Sequence, residues 1–286
     1  MNFSDLLEFG LNSKLGFSEL MIVIDEKTIF DIISKKKPVT VALNAPDGML
    51  PQVQETAIKI TEKFNIPAFV LADTTWGTCD LNSNGAKVLG AEILFNIGHT
   101  NKLEKFPGEQ DNVRMIDAFD DISFDDVIPK AIEVLKGKIV SLITDSQHLH
   151  KVESVKHKLE KEGITVKIGK GKGQLNDGQV FGCEFYPAME IKEQVDANLF
   201  LGQSNFHAAG VALATKVRTY ILDPYFNEVR DVTNFAEKLE KKATLKIFNV
   251  AFFSNFSAKL VTSLISLKYG SRMYVLTLVD NATPAA

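Results

Sequence analysis

Cys79 and Cys183 are the two cysteines of this 286-residue chain, and each closes a similar phrase: apolar run, loop, glycine, cysteine, acid, bulky apolar residue. The first runs Val70-Leu71-Ala72-Asp73-Thr74-Thr75-Trp76-Gly77-Thr78-Cys79-Asp80-Leu81, and the second runs Asp177-Gly178-Gln179-Val180-Phe181-Gly182-Cys183-Glu184-Phe185. They lie roughly 100 residues apart, about one domain's length, which points to one structural unit used more than once. Thiolates are soft donors, so a cysteine repeated at domain spacing predicts a ligand set gathered from several domains around one metal or cluster. The bland alternative is a pair of buried cysteines acting as small hydrophobes. Each cysteine is followed, at a similar distance, by an apolar run with a polar end that carries a histidine. These ends are Gly98-His99-Thr100 and Gly202-Gln203-Ser204-Asn205-Phe206-His207. Strand ends are where α/β folds bind ligands, which makes His99 and His207 candidate substrate contacts beside an ordinary structural reading. Pro46-Asp47-Gly48 also follows an apolar run and opens a helical pattern, so its N–H groups could take a carboxylate.

The elements that must position these groups repeat as well. A strand at Met21–Ile24 leads into a helix with Ile29, Ile32 and Ile33 on one face, ended by Lys35-Lys36-Lys37-Pro38. Val39–Leu43 reads as a buried parallel strand, residues 50–64 as a helix, Ala68–Ala72 as a strand that delivers the Cys79 loop, and Ile93–Ile97 as a strand after a further helix. The middle third replays the order: strand 138–144, a long helix 147–161, strand 165–168, the Cys183 loop and strand 198–201. A third copy is expected to open with a strand at 244–250, followed by a helix at 257–268 and a strand at 273–279. The predicted fold class is therefore α/β, with similar small units of mostly parallel sheet flanked by helices. The units are expected as an extension over 1–20, repeat 1 over 21–130, repeat 2 over 131–240 and a partial repeat 3 over 241–286. In the first two copies the cysteine follows the first strand by roughly 40 residues, an interval that in the third falls just past Ala286.

Composition sets bounds on this reading. The formal charge of −4 argues against a nucleic-acid-coating protein, which normally shows a basic face. No apolar run is long enough to span a bilayer, and no signal peptide is legible, so a cytoplasmic protein with reduced thiols is expected. Translation could start at Met1 or at Met21. Gly169-Lys170-Gly171-Lys172-Gly173 lacks phosphate-loop spacing and reads as a flexible basic loop. Asp117, Asp120, Asp121, Asp125 and Asp126 read as a solvated acidic linker, and His148, His150 and His157 as solvated surface.

Several pieces in this order resemble one family. They are Leu43-Asn44-Ala45-Pro46-Asp47-Gly48-Met49-Leu50, Trp76–Leu81, Gly178–Cys183, Phe206-His207-Ala208-Ala209-Gly210-Val211-Ala212-Leu213 and Leu222-Asp223-Pro224-Tyr225. From about Met21 onward the chain resembles the archaeal diphthamide synthesis enzymes, the 2-(3-amino-3-carboxypropyl)histidine synthases. That resemblance implies a pseudo-threefold arrangement of three α/β domains, each giving one cysteine to a [4Fe–4S] cluster. Three thiolates would leave one iron open to S-adenosylmethionine. It also implies radical transfer of the 3-amino-3-carboxypropyl group to a histidine of translation elongation factor 2, by a homodimer. Cys79 and Cys183 would be the metal ligands. Pro46, Asp47, Gly48, Gly98, His99, Gly202, Gln203, Ser204, Phe206 and His207 would line the substrate site. Gln203-Ser204-Asn205 departs from the glycine-richer turn expected of the family. With two cysteines the chain reads as truncated or as a non-catalytic partner subunit, and quinolinate synthase is a second three-cysteine family that shares this plan.

Overall fold

The computed structural model describes residues 22–73, Thr75, Gly77, 80–99 and 112–253, of which 246–253 by backbone only. Apolar runs buried on both faces build its two parallel sheets, as parallel strands covered by helices require. In the first sheet, β2 (Val41–Asn44) and β4 (Ile93–Ile97) are wholly buried. They are flanked by β3 (Ala68–Val70) and β5 (Val113–Ile116), in the order β3-β2-β4-β5. In the second, β7 (Ile139–Thr144) and β9 (Ala197–Leu201) hold the centre, with β8 (Thr165–Lys167) on one side and β10 (Thr219–Asp223) and β11 (Glu228–Asp231) on the other. The order there is β8-β7-β9-β10-β11, and only β11 is antiparallel. The four parallel strands thus follow the same winding in both sheets, the element-level repeat that the sequence predicts. A separate two-stranded ribbon pairs β1 (Ile22–Ile24) with β6 (Ala118–Asp120) antiparallel.

Helices cover the sheets where their apolar stripes dictate. α1 (Glu26–Lys36) is capped by Asp25, which accepts from the Thr28 N–H, and it buries Ile29 and Ile33. α2 (Leu50–Phe64) buries Val53, Ala57 and Ile60 over the first sheet, and α3 (Ser83–Val88) follows the Cys79 loop. In the second unit α4 (Ile128–Leu135), α5 (Val152–Lys161), α6 (Tyr186–Glu190) and α7 (Asn205–Thr215) pack around β7 to β10. α8 (Thr233–Phe253) lies against α7.

Four expectations are corrected. The stretch at 244–250, expected as a strand, belongs to α8. The helical run begun at Thr233 carries on through it, since extending a helix costs far less than nucleating one. The segments at 257–268 and 273–279 lie outside the described residues. The acidic stretch is no solvated linker throughout: β5 and β6 occupy its start, Asp120 is 3% exposed, and Phe124 and Val127 sit in the second core. The helix expected from 147 is a 3-10 turn over Ser146–Lys151 before α5 begins, and His148 within it is 1% exposed instead of solvated, on the side of Val152, Val155 and Leu159; His150 and His157 are exposed as expected. The basic loop is held rather than loose: Gly178 N–H donates to the Gly169 carbonyl at 2.9 Å, and the Gly171 N–H to Asp177 at 2.8 Å. Among the described residues, no helix is long and apolar enough to cross a membrane.

Candidate functional site

The last residue of each leading strand holds a cysteine loop. Asn44 ends β2 and is fully buried. Its Oδ1 accepts from the Thr75 hydroxyl at 2.9 Å, and its amide donates to Asn96 at 2.9 Å and to the Asp80 carbonyl at 3.4 Å. Asp80 N–H closes back onto the Gly77 carbonyl at 2.9 Å. Cys79 itself lies outside the described residues, but the residues on either side of it are tied to the carboxyl end of β2. Thr144 does the same work at the end of β7: its N–H donates to Gly178 at 3.0 Å and its carbonyl accepts from Val180 at 2.8 Å, a parallel bridge to Gln179.

Cys183 follows on a tight turn, closed by the Phe181 N–H to the Glu184 carbonyl at 2.9 Å, and the residue is exposed. Two aromatic–glycine contacts pin this turn to α7. A Cβ on Gly182 would fall 2.1 Å from the Phe206 ring, and a Cβ on Gly210 would fall 2.4 Å from the Phe185 ring. Only a residue without a side chain allows rings to sit so close to the backbone.

The histidine ends converge on the same edge. Gly98 (φ +87) and Gly202 (φ +126) turn the chain out of β4 and β9 in conformations that L side chains rarely adopt. The two sheets meet where the Ser146 hydroxyl, just past β7, donates to the Gly98 carbonyl at 3.2 Å. Ser204 caps α7: its oxygen accepts from the His207 N–H at 3.3 Å and shares a 2.7 Å hydrogen bond with Nδ1 of the same residue. The imidazole of His207 is stacked parallel to Phe200, with centroids 6.0 Å apart. Burial holds His207 below the ordinary imidazole range, against the opposing pull of Asp145. Burial likewise lowers His99, with Asp80 opposing and His207 adding to the effect, so the two histidines sense each other. Pro46-Asp47-Gly48 forms the turn between β2 and α2, with a 3-10 stretch at Asp47–Met49, and a Cβ on Gly98 would meet Met49 at 2.7 Å. Gln203 is exposed and Phe206 is 69% exposed, on the same rim.

The sequence reading assigns no role to a group of polar residues at this edge, and takes two of them, Asp120 and His148, as solvated. Arg230 on β11 donates to Asp223 at 2.9 Å and to the Gln203 carbonyl at 3.1 Å, also pairs with Glu228, and so fixes the loop ahead of His207. Asp223 accepts from the N–H groups of Tyr225 and Phe226 at 3.0 and 3.1 Å. Asp145, Ser146, His148 and Asp120 are the others. The one signal that bore on them is Leu222-Asp223-Pro224-Tyr225, part of the resemblance but given no role there.

Two α/β units whose four parallel strands share one winding bring the Cys183 loop and both histidine turns to the carboxyl ends of those strands, the end at which α/β sheets bind ligands. The model of the diphthamide synthesis protein family matches residues 45–261. The chain belongs to that family, which also decides against the quinolinate synthase alternative. It is 31% identical over 188 residues to the 2-(3-amino-3-carboxypropyl)histidine synthase of Pyrococcus horikoshii, covering 65% of this chain and 53% of that protein. It is 28% identical over 206 residues to subunit 1 of the human 2-(3-amino-3-carboxypropyl)histidine synthase, covering 70% and 45%. The chain thus spans about half the length of the curated relatives it matches. Among solved structures it superposes on Dph2 from Pyrococcus horikoshii with a 4Fe-4S cluster at a TM-score of 0.68 and 28% identity, over 78% of this chain and 65% of that one.

Proposed function

We propose that the chain carries two cysteine-bearing repeats of an enzyme that transfers the 3-amino-3-carboxypropyl group of S-adenosylmethionine to a histidine of translation elongation factor 2. This is the first step of diphthamide biosynthesis. The observation that supports the reading is that the Cys183 loop, through Thr144, and the described residues flanking Cys79, through Asn44, are tied to the carboxyl ends of β7 and β2 in two sheets of the same winding.

The residues fit an iron–sulfur group. Cys183 is exposed on a turn braced by Phe206 and Phe185, so its sulfur is positioned by packing while facing outward. Cys183 and Cys79 would be thiolate ligands of the cluster. Bound there, a [4Fe–4S] cluster would supply one-electron reduction of the sulfonium. The chain's own residues bind and orient. The Pro46-Asp47-Gly48 turn offers N–H groups to the carboxylate of the methionine portion. His99 and His207 are kept neutral by burial, so they add no positive charge beside a sulfonium. With Nδ1 of His207 engaged by Ser204, its Nε2 is the nitrogen left to take or hold a proton as the target imidazole is substituted. The reading includes a homodimer in the cytoplasm.

The test is anaerobic reconstitution with iron and sulfide, followed by reduced-state EPR and incubation with elongation factor 2 and S-adenosylmethionine labelled in its aminocarboxypropyl carbons. Label on one histidine of the factor, lost in Cys183→Ala, is expected. A cluster signal without transfer, restored by a paralogous subunit, would assign the chain to the partner-subunit role instead. No cluster at any iron loading would refute the reading for this chain.

A further inference from the structure

The chain crosses from the first unit to the second along residues 118–127, and much of that crossing is engaged with the second unit. Ala118 is buried in the first core under the β1–β6 ribbon, and Phe124 and Val127 are buried in the second. Between them, Phe119 packs on His150 with ring centroids 4.8 Å apart, Asp121 pairs with Lys151 at 2.6 Å, and Asp125 pairs with Lys158. His150, Lys151 and Lys158 lie on the 3-10 turn after β7 and on α5. The two ion pairs are exposed, where screening and side-chain entropy leave little net attraction. Asp120 is held differently. It is 3% exposed and both of its oxygens are committed: Oδ1 accepts the Ile122 N–H at 3.0 Å, and Oδ2 accepts the Tyr225 hydroxyl. A hydroxyl donating to a buried carboxylate is among the stronger hydrogen bonds that proteins make. Tyr225 is itself fixed. Its N–H donates to the fully buried Asp223 at 3.0 Å, and its hydroxyl oxygen lies 3.0 Å from Nε2 of the buried His148.

We propose that residues 119–125 are a strap that holds the two units at one angle, and that the hydrogen bond from Tyr225 to Asp120 is its fastening. Tyr225 follows the carboxyl end of β10 in the second sheet, whereas Asp120 closes a ribbon seated on the first core, so this one bond joins elements 105 positions apart. Without it, Oδ2 of Asp120 is a buried acceptor with no donor, a state that a carboxylate bears poorly and that draws in water. The ribbon is the part that yields, because two paired strands of three residues are marginal by themselves. The Tyr225 turn does not yield, being held by Asp223 and His148. The Ser146 hydroxyl on the Gly98 carbonyl, at 3.2 Å, is a second tie between the units, but a single neutral one about which they would turn. With the strap fastened, Asn44 at the end of β2 and Thr144 at the end of β7 keep one separation whether or not anything is bound at those strand ends.

The strap does not depend on the proposed function, so its test needs neither cluster nor substrate. Backbone N–H residual dipolar couplings of the full, deuterated chain are measured in a weakly aligning medium, and an alignment tensor is fitted to each unit separately. The unsubstituted chain is expected to give one common tensor. Lys151→Ala together with Lys158→Ala is expected to keep it, since the exposed pairs hold little. Tyr225→Phe is expected to give two different tensors, while the couplings within each unit still fit that unit's own sheet, which sets a change of angle apart from unfolding. Ile60→Val, a change in the first core remote from the strap, is expected to lower the urea midpoint and still keep one tensor. Two tensors in the unsubstituted chain overturn the proposal without any variant. A common tensor in folded Tyr225→Phe removes that bond as the fastening. Loss of the common tensor in Ile60→Val reduces the effect to general stability, and its loss in the paired lysine variant assigns the hold to the exposed ion pairs; either result overturns the proposal.

Discussion

Gly210→Ala separates two opposing effects in a single substitution and tests how the Cys183 turn is held. Gly210 lies inside α7, where alanine in place of glycine favours the helix by about 1 kcal/mol. The added methyl would lie 2.4 Å from Phe185 Cζ and 2.7 Å from its Cε1, well inside the roughly 3.5–4 Å of ordinary carbon contact. The ring must therefore shift by more than an ångström, and its backbone is not free to follow. The Phe185 carbonyl accepts from the N–H groups of Ala188 and Met189, both at 3.1 Å, and the residue before it closes the Cys183 turn. Overpacking of this kind costs about 1–3 kcal/mol, so the net expectation is a loss of about 0–2 kcal/mol in place of the propensity gain. Urea unfolding of Gly210→Ala, Phe185→Leu and the double variant measures this directly. In the Phe185→Leu background the clash is relieved, and Gly210→Ala should change sign and stabilise by about 0.5–1 kcal/mol, giving a clear coupling between the sites. A gain of about 1 kcal/mol in the unsubstituted background would refute the argument, because it would mean that the Phe185 ring does not occupy the space above Gly210.

Three further outcomes follow from the same edge. Asn44→Leu conserves volume but leaves the Thr75 hydroxyl and Oδ1 of Asn96 buried without their shared partner; a loss of about 2–4 kcal/mol is expected in urea unfolding, with faster proteolysis at 73–80. Arg230→Met strips the counter-charge from Asp223, which is fully buried, while Arg230 is partly exposed and its pairing correspondingly screened. A loss of about 2–3 kcal/mol is expected, partly recovered by Arg230→Lys, which restores the charge but not the reach to the Gln203 carbonyl. Stability should fall on acidification. His99 and His207 resist protonation in the folded chain, so the unfolded chain binds more protons as pH drops through the ordinary imidazole value, and the unfolding free energy rises with pH across that window. The lowered carboxyl of Asp145 adds a loss of the same sign at more acidic pH. A urea midpoint that is flat between pH 7 and 5 would contradict the histidine burial.

What was legible in the sequence and what was not have a common physical cause. The central strands β2, β4, β7 and β9 show through because parallel strands covered on both faces must be apolar throughout, and the repeat of strand, helix, strand and cysteine loop needs no knowledge of contacts. The cysteine and histidine turns show through because glycine marks them. The groups that hold those turns do not: the side chains of Asn44 and Thr144 find partners 31 to 57 positions away, and Arg230 reaches the Gln203 carbonyl across 27, pairings that sequence spacing does not encode. His148 is hidden for a sharper reason. At 3.6 residues per turn it falls on the buried stripe of Val152, Val155 and Leu159, so its residue type and not its spacing is what reads as solvated. In a 3-10 turn, residues three apart share a face, and Asp145, His148 and Lys151 line up, with the histidine drawn inward between the Asp145 cap and Tyr225.

The stretch at 244–250 fails in the opposite direction. Thr244, Ile247, Phe248 and Val250 carry strand propensity, yet each is added to a helix already running from Thr233 and anchored by Ala236 against Ala209 and Ala212 of α7. A residue joining an existing helix gains a hydrogen bond for two fixed dihedrals, and an intrinsic preference of a few tenths of a kcal/mol does not overturn that. The helix packs on α7, the same helix whose first turn presents His207 and whose Gly210 seats the Cys183 loop. Its packing therefore reaches both chemistry-bearing turns of the second unit, and a substitution at Ala236 that pushed α8 away would be felt at His207 before it was felt at the sheet.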